Sequence, residues 1–357
     1  MKKHVLSVFV VLAVLAGVTF VHGQSTPTTP TTIDGLVSAA KVAAGTDWSG
    51  TFTRLCIPPP PAPARGTGGA GGRGRGAAAA AGGPAAAGGR GAAGGRAGAP
   101  QTPPRDVWYA EPAKVADNLY FVGEKAHHSW AIVGSQGIIL IEALYEYATA
   151  DEVTGGFRKL GLDINKVKYA VMSHAHGDHD GGAAYLQDSI PGVRLVYGAE
   201  DWDAVDKSTN RPGGKPKHDL VGTDGMVLSV GDASLKIVTM PGHTPGTLSY
   251  LFEVKDNGKP LRIAYVGGTA IPFDGTPAYY DTYLASSRKF AKAAADYGAT
   301  VILSNHTEFD NGYYKAHTAQ DRKPGEANPF DVGKDGVARY FTVVEDCATA
   351  AKMRAAK

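Results

Sequence analysis

The chain has 357 residues, 43% of them hydrophobic, enough for one large globular domain or two small ones. Its 36 basic and 34 acidic residues nearly cancel. Residues 106–357, however, hold 26 basic against 32 acidic, a net −6 that argues against nucleic acid as the partner of the folded part. Two cysteines, Cys56 and Cys347, are too few for a disulfide-stapled miniature fold.

Met1-Lys2-Lys3-His4 is a short basic start, and Val5 to Phe20 is an apolar run. Val21-His22-Gly23 then presents small or aliphatic residues where a signal peptidase reads. Residues 1–23 therefore predict a secretory signal cut after Gly23, the run being shorter than the ~20 residues of a bilayer span. That implies a periplasmic or secreted protein with no stable membrane insertion after cleavage. Within the N-terminal segment 24–57, residues 34–45 predict one short helix capped by Asp34. Residues 58–104 run from prolines into Gly/Ala/Arg low complexity, too poor in apolar surface to offset chain entropy, and read as a flexible linker. Arg65, Arg73, Arg75, Arg90 and Arg96 have no acidic neighbours there; a weak envelope contact and a solvated tether both fit them.

From residue 105 to 357 the texture is that of a folded domain. Strands are predicted at 118–123, 129–134, 137–144, 167–174, 193–198, 226–230, 234–240, 248–254, 261–267 and 300–306. Helices are predicted at 149–160, 183–188, 283–297 and 337–351. Strands in runs, then helices, then the same again imply two α/β halves with packed sheets and outer helices. Residues 203–222 form a polar Gly/Pro stretch of the kind that lids a site.

HAHGDHDGG, residues 174–182, is entered straight from the predicted buried strand VKYAVMSH. Alternation at a strand end would put His174 and His176 on one side, and Gly177 would let Asp178 and His179 turn to a neighbouring position. Neutral imidazoles with one carboxylate suit a metal such as zinc, and packing does not explain so many ligands in six residues. His243, in MPGHTPGT, and His306, in ILSNHTE, also sit just after predicted strands.

HAHGDH, PGHTPG and the terminal-strand His306 resemble, in order, the histidine motifs of the metallo-beta-lactamase superfamily over roughly residues 107–320. The resemblance implies an αββα sandwich with a two-metal edge. It places His174, His176 and His243 on one zinc and Asp178, His179 and His306 on a second. Many superfamily hydrolases put a bridging aspartate, and other lactamase subclasses a cysteine, where YVGGTA has Gly268. A three-His site beside an Asp-His-His site is similar to the third metallo-beta-lactamase subclass. Serines that often hold the substrate carboxylate there are replaced by Gly268 and Ala270, with Thr269 a partial substitute. Glu142, in IEAL, stands where the superfamily usually has an aspartate.

The chemistry implied is attack of a zinc-activated hydroxide on the carbonyl of a β-lactam-like amide in a small-molecule substrate, with Asp178 orienting the nucleophile and shuttling its proton. A related hydrolase of another amide, lactone or ester is the close alternative, and a non-catalytic zinc-binding envelope protein the distant one. Candidate substrate contacts are Thr269, His127, His128, Lys215, Lys217 and His218; for His127 and His128 a turn role fits at least as well, and for Lys215, Lys217 and His218 a solvated surface fits better. In the resembling subclass a C-terminal-helix cysteine often pairs with one before the final histidine strand. Cys347 lies in the matching helix without that partner, so a Cys56–Cys347 bridge is expected in an oxidising compartment.

Overall fold

The computed structural model describes residues 30–59 and 102–357; the expected signal and residues 60–101 of the expected linker lie outside the described residues. In chain order the elements begin with α1 (Ile33–Ala44), α2 (Ser49–Cys56), α3 (Arg105–Trp108), β1 (Ala113–Ala116), β2 (Leu119–Phe121), β3 (Trp130–Gly134) and β4 (Gly137–Ile141). A π-helical turn, Ala150–Thr154, leads into α4 (Gly155–Lys159) and β5 (Val167–Val171). Then come α5 (Gly177–Asp180), α6 (Ala183–Ser189), β6 (Arg194–Tyr197), α7 (Ala199–Lys207), β7 (Leu220–Val221), β8 (Val227–Val230) and β9 (Ala233–Thr239). The chain closes with β10 (Leu248–Asp256), β11 (Lys259–Val266), α8 (Pro277–Tyr297), β12 (Val301–Ser304), α9 (Thr307–Asp310), α10 (Gly312–Gln320) and α11 (Gly333–Ala355).

Seven strands pair in the order β1-β2-β3-β4-β5-β6-β7, and five in the order β12-β11-β10-β9-β8. The first sheet is antiparallel from β1 to β4 and parallel from β4 to β7. Their inner faces meet through Phe121, Trp130, Ile139, Ile237, Phe252 and Tyr265. β9 shows the alternation that one buried face requires, with Leu235 and Ile237 in and Ser234 and Lys236 out. β4 (GIILI) is buried on both faces, as its unbroken apolar run implies. The outer face of the first sheet is covered by α4, α6 and α7 through Phe157, Leu186 and Trp202. The outer face of the second is covered by α8 and α11 through Tyr283, Phe290 and Val344. This is the expected αββα sandwich.

Several expected boundaries shift. One helix was expected before the linker, but α2 follows α1, and both pack on α11 through Ala40, Trp48 and Leu55. The Trp48 indole N–H donates to Gly336 O at 2.9 Å, which fixes α11 against the N-terminal helices. Cys56 and Cys347 are joined by a disulfide with Cα atoms 4.8 Å apart. α8 starts at Pro277, six residues before the expected Tyr283, because Thr276 caps it from Tyr279 N–H and Pro277 suits the first turn. The stretch expected to be loop from 203 is helical to Lys207, since Trp202 and Val205 give α7 a buried face at i, i+3 spacing. β1 and β7 escape sequence reading because four and two residues are too short to show a period. Among the described residues, no helix is long and apolar enough to cross a membrane.

Candidate metal centre

β5 ends at Val171, so His174 to His176 stand in a loop and strand alternation does not orient them. His176 caps the one-turn α5, which carries Asp178 and His179. Two left-handed residues after β4, Glu142 (φ 68°) and Leu144 (φ 66°), turn the Ala143 and Leu144 amides onto the His179 carbonyl at 2.7 and 3.1 Å. Gly182 must be glycine: a Cβ there would fall 1.8 Å from Thr149 Oγ1. Glu142 reaches back with its longer arm, accepting the Tyr265 hydroxyl at 2.8 Å and the Ser173 amide at 3.2 Å. Burial pushes its carboxyl up to about 7 against those bonds and nearby His179.

Three ring nitrogens converge first. His243 Nε2 lies 3.1 Å from both His174 Nε2 and His176 Nδ1. His174 Nδ1 meets Gly267 O at 2.8 Å, and His243 Nδ1 meets Ala270 O at 2.7 Å. A carbonyl only accepts, so both Nδ1 atoms carry the proton and both Nε2 atoms present lone pairs. Two lone pairs facing each other at that distance repel unless a cation lies between them. Nitrogens about 2.0–2.1 Å from a tetrahedral zinc would stand roughly 3.3 Å apart, so the spacing fits a metal. Burial and the neighbouring imidazoles hold His174 well below the usual histidine range and His243 at about 4, which keeps both in the neutral, ligating form.

A second cluster surrounds Asp178. Its Oδ2 is 3.2 Å from His179 Nε2, 3.5 Å from His306 Nε2 and 3.8 Å from His127 Nε2. His179 and His306 approach to 3.1 Å through their Nε2 atoms. Burial alone would raise the Asp178 carboxyl, but the imidazoles of His179, His306 and His127 outweigh it and hold the group well below the carboxylate range. The two clusters touch, with the His174 and His179 rings 4.4 Å apart. His174/His176/His243 and His127/Asp178/His306 each have ligand atoms within 4.8 Å of one another. No side chain bridges the clusters from 268, where a Cβ would meet His243 Cβ at 2.7 Å.

Residues 122–256 match the family model of the metallo-beta-lactamase superfamily. The chain carries a metallo-beta-lactamase superfamily domain. The fold is similar to BJP-1, a subclass B3 metallo-beta-lactamase of Bradyrhizobium japonicum, with 26% identity and a TM-score of 0.59 over 70% of this chain and 98% of that one. In sequence it is similar to a hydroxyacylglutathione hydrolase of Synechococcus sp., 25% identical over 47% of this chain. It is also similar to the N-acyl homoserine lactonase AttM of Agrobacterium fabrum, 32% identical over 30% of this chain. The matches span 62% and 43% of those two relatives. The metallo-beta-lactamase fold and the two clusters together imply a metal.

The other expected contacts separate. Thr269 is fully buried, its hydroxyl on Tyr340 Oη at 2.8 Å, so it cannot meet a substrate. His128 is likewise buried, bonded to Ser304 O and Thr307 Oγ1, and burial pushes it down to about 3; it latches β3 to the segment after β12. Lys215 Nζ donates to Asp206 O, and His218 stacks on Trp202 and bonds Asp206, so both face outward. Lys217 is exposed and off the cavity wall. His127 does reach the site, but among the Asp178 cluster.

Beside that cluster the metallo-beta-lactamase domain opens a cavity of about 680 Å³. Val107, Trp108, Tyr145 and Tyr147 line one side and Ser208, Asn210, Arg211 and Pro212 supply part of another, with Glu124 and His127 at the wall. The lid stretch thus contributes Asn210 and Arg211, and Arg211 is ion-paired with buried Asp180 beside the metal loop.

Sequence reasoning also missed Asp201. Its Oδ2 accepts the Ala175 amide at 2.9 Å and the Thr244 hydroxyl at 2.8 Å, and its Oδ1 accepts the Gly246 amide at 3.0 Å. One buried carboxylate therefore holds the His174–His176 loop against the His243 loop. An acidic residue in the first turn of the helix that follows β6, in GAEDW, was the available signal. Asp201→Ala leaves these donors unpaired, at about 1–3 kcal/mol each. We expect a lower melting temperature and metal affinity weakened roughly 10–100-fold in a chelator titration. Unchanged affinity would remove Asp201 from the support of the site.

Proposed function

We propose that the protein is an exported hydrolase holding two zinc ions per chain, which hydrolyses the C–N bond of a β-lactam-like amide in a small molecule to a carboxylate and an amine. The observation that carries this reading is the ligand geometry: a three-imidazole cluster touching an Asp-His-His cluster, with no bridging side chain at Gly268. His174, His176 and His243 would hold one ion, and Asp178, His179 and His306 the other. Bound zinc supplies Lewis acidity and a water acidic enough to act as a nucleophile near neutral pH. Asp178, kept ionised by the imidazoles around it, would accept a hydrogen bond from that water and orient it. The likeness to a subclass B3 metallo-beta-lactamase supports the amide substrate. Export is supported by residues 1–23 and by the Cys56–Cys347 bridge, since disulfides persist in oxidising compartments.

The cavity favours a second reading, a neutral lactone or ester. Among the described residues that line it, Arg211 is the one Lys or Arg, and its charge is already met by Asp180. A carboxylate-bearing substrate finds no free cation there, whereas Trp108, Tyr145 and Tyr147 suit an uncharged apolar group. Metal-loaded and chelated protein should be compared on a β-lactam panel and on lactones and thioesters. Metal-dependent β-lactam turnover supports the first reading, and lactone or thioester turnover alone supports the second. No turnover of any substrate by fully loaded protein would overturn both in favour of a non-catalytic zinc-binding envelope protein.

A further inference from the structure

We infer that His127 is an additional protein ligand of the second cluster, oriented by the buried carboxylate of Glu124. This rests on the reading that the Asp178 cluster holds a metal. The place of His127 is fixed by backbone. His127 and His306 form an isolated antiparallel bridge. The Thr307 amide donates to Ala126 O at 2.9 Å and the His128 amide to Asn305 O at 3.0 Å. The loop before β3 is thereby tied to the segment that carries His306. Tyr145 packs edge-on against the His127 ring at 5.1 Å and limits its rotation.

The ring's polarity follows from its partners. His127 Nδ1 lies 3.1 Å from Glu124 Oε2. A carboxylate accepts, so Nδ1 carries the proton, and in the neutral ring Nε2 presents a lone pair. That lone pair faces Asp178 Oδ2, another acceptor, 3.8 Å away. With the ring neutral, two acceptors face each other there, and a cation between them relieves the repulsion. Glu124 is 1% exposed, and its Oε1 has no hydrogen-bond partner. Burying such a carboxylate is costly unless positive charge lies close by. A carboxylate–histidine–metal relay supplies that charge and sets the ring tautomer. An imidazolium held between Glu124 and Asp178 is the competing arrangement, and it needs no metal contact.

The assignment changes the character of the second site. With His127, Asp178, His179 and His306 it has four protein ligands, the number of a closed zinc site, whereas the three-imidazole site keeps a position open. The second ion is then the more tightly held, and the open position for water or substrate lies at the first.

Stepwise chelator competition on the zinc-loaded full chain, with the absorption spectrum of the cobalt-substituted protein, tests this. Wild type should release two equivalents. In His127→Ala the affinity of the second site should fall at least about 10-fold with the first unchanged, and the cobalt bands should shift as a nitrogen ligand is lost. Glu124→Ala should weaken the same site roughly 10–100-fold. Glu124→Gln, whose amide oxygen still accepts the Nδ1 proton, should recover part of that loss. If His127→Ala does not fold, His127→Gln and the Glu124 pair carry the same comparison. Wild type holding two ions while His127→Ala keeps both affinities and the same cobalt spectrum overturns the ligand assignment and leaves the two-zinc reading intact. Wild type holding a single ion overturns the two-zinc reading and the assignment with it.

Discussion

Replacing His243 by alanine should abolish turnover, by on the order of 10³-fold or more, and remove about one metal equivalent. His243 Nε2 is the atom that approaches both His174 Nε2 and His176 Nδ1, so its loss opens the three-imidazole cluster on two sides at once. The fold should survive. His243 stands in the turn after β9, and its protein bond outside the cluster is the one to Ala270 O. Far-UV circular dichroism should therefore match wild type while metal analysis and turnover do not. An unchanged metal content with full hydrolysis would remove His243 from the site. Adding zinc at high concentration should rescue little, because two imidazoles without a third do not make the site that three did.

The second large effect concerns the N-terminal helices. Reducing the Cys56–Cys347 bridge, or Cys56→Ser, should cost about 2–5 kcal/mol, seen as a melting temperature below that of the oxidised wild type. Trp48→Ala should cost about 3–5 kcal/mol, since the side chain is fully buried, packs edge-on against Tyr340 at 5.1 Å and donates to Gly336 O. A truncated chain beginning at Asp106 loses α1, α2 and the bridge together. It uncovers Val337, Val344 and Cys347 on α11, and we expect it to aggregate even with zinc supplied. Soluble, fully active protein from that truncation would show the two helices to be accessory. Tyr340 also holds the Thr269 hydroxyl, so damage at Trp48 is expected to reach the segment that carries Ala270 and its bond to His243.

The two clustered loops were legible in the sequence as candidate ligand loops because ligand chemistry restricts residue type: His174, His176, Asp178 and His179 fall within six positions. The sandwich was legible because strands such as β4 and β9 carry unbroken or alternating apolar runs. What stayed hidden depends on neighbours distant in the chain. Thr269 is a hydroxyl like any other until Tyr340, 71 residues on, is seen to hold it. Asp201 serves two loops 26 and 45 residues away. His127 and His128 are adjacent and identical in type. One joins a cluster and the other a buried latch, and only the backbone pairing with residues 304–307 separates them.

The bridge between Cys56 and Cys347, 291 positions apart, makes one covalent ring of nearly the whole sandwich, and the Gly/Ala/Arg stretch lies inside that ring. A protease that cuts once after Arg65, Arg73, Arg75, Arg90 or Arg96 therefore releases nothing: the fragment bearing α1 and α2 stays bonded to the fragment bearing both histidine clusters. Such a nicked molecule would migrate as one species until reduced and as two afterwards. The ring thus keeps a severed chain together as one two-chain molecule.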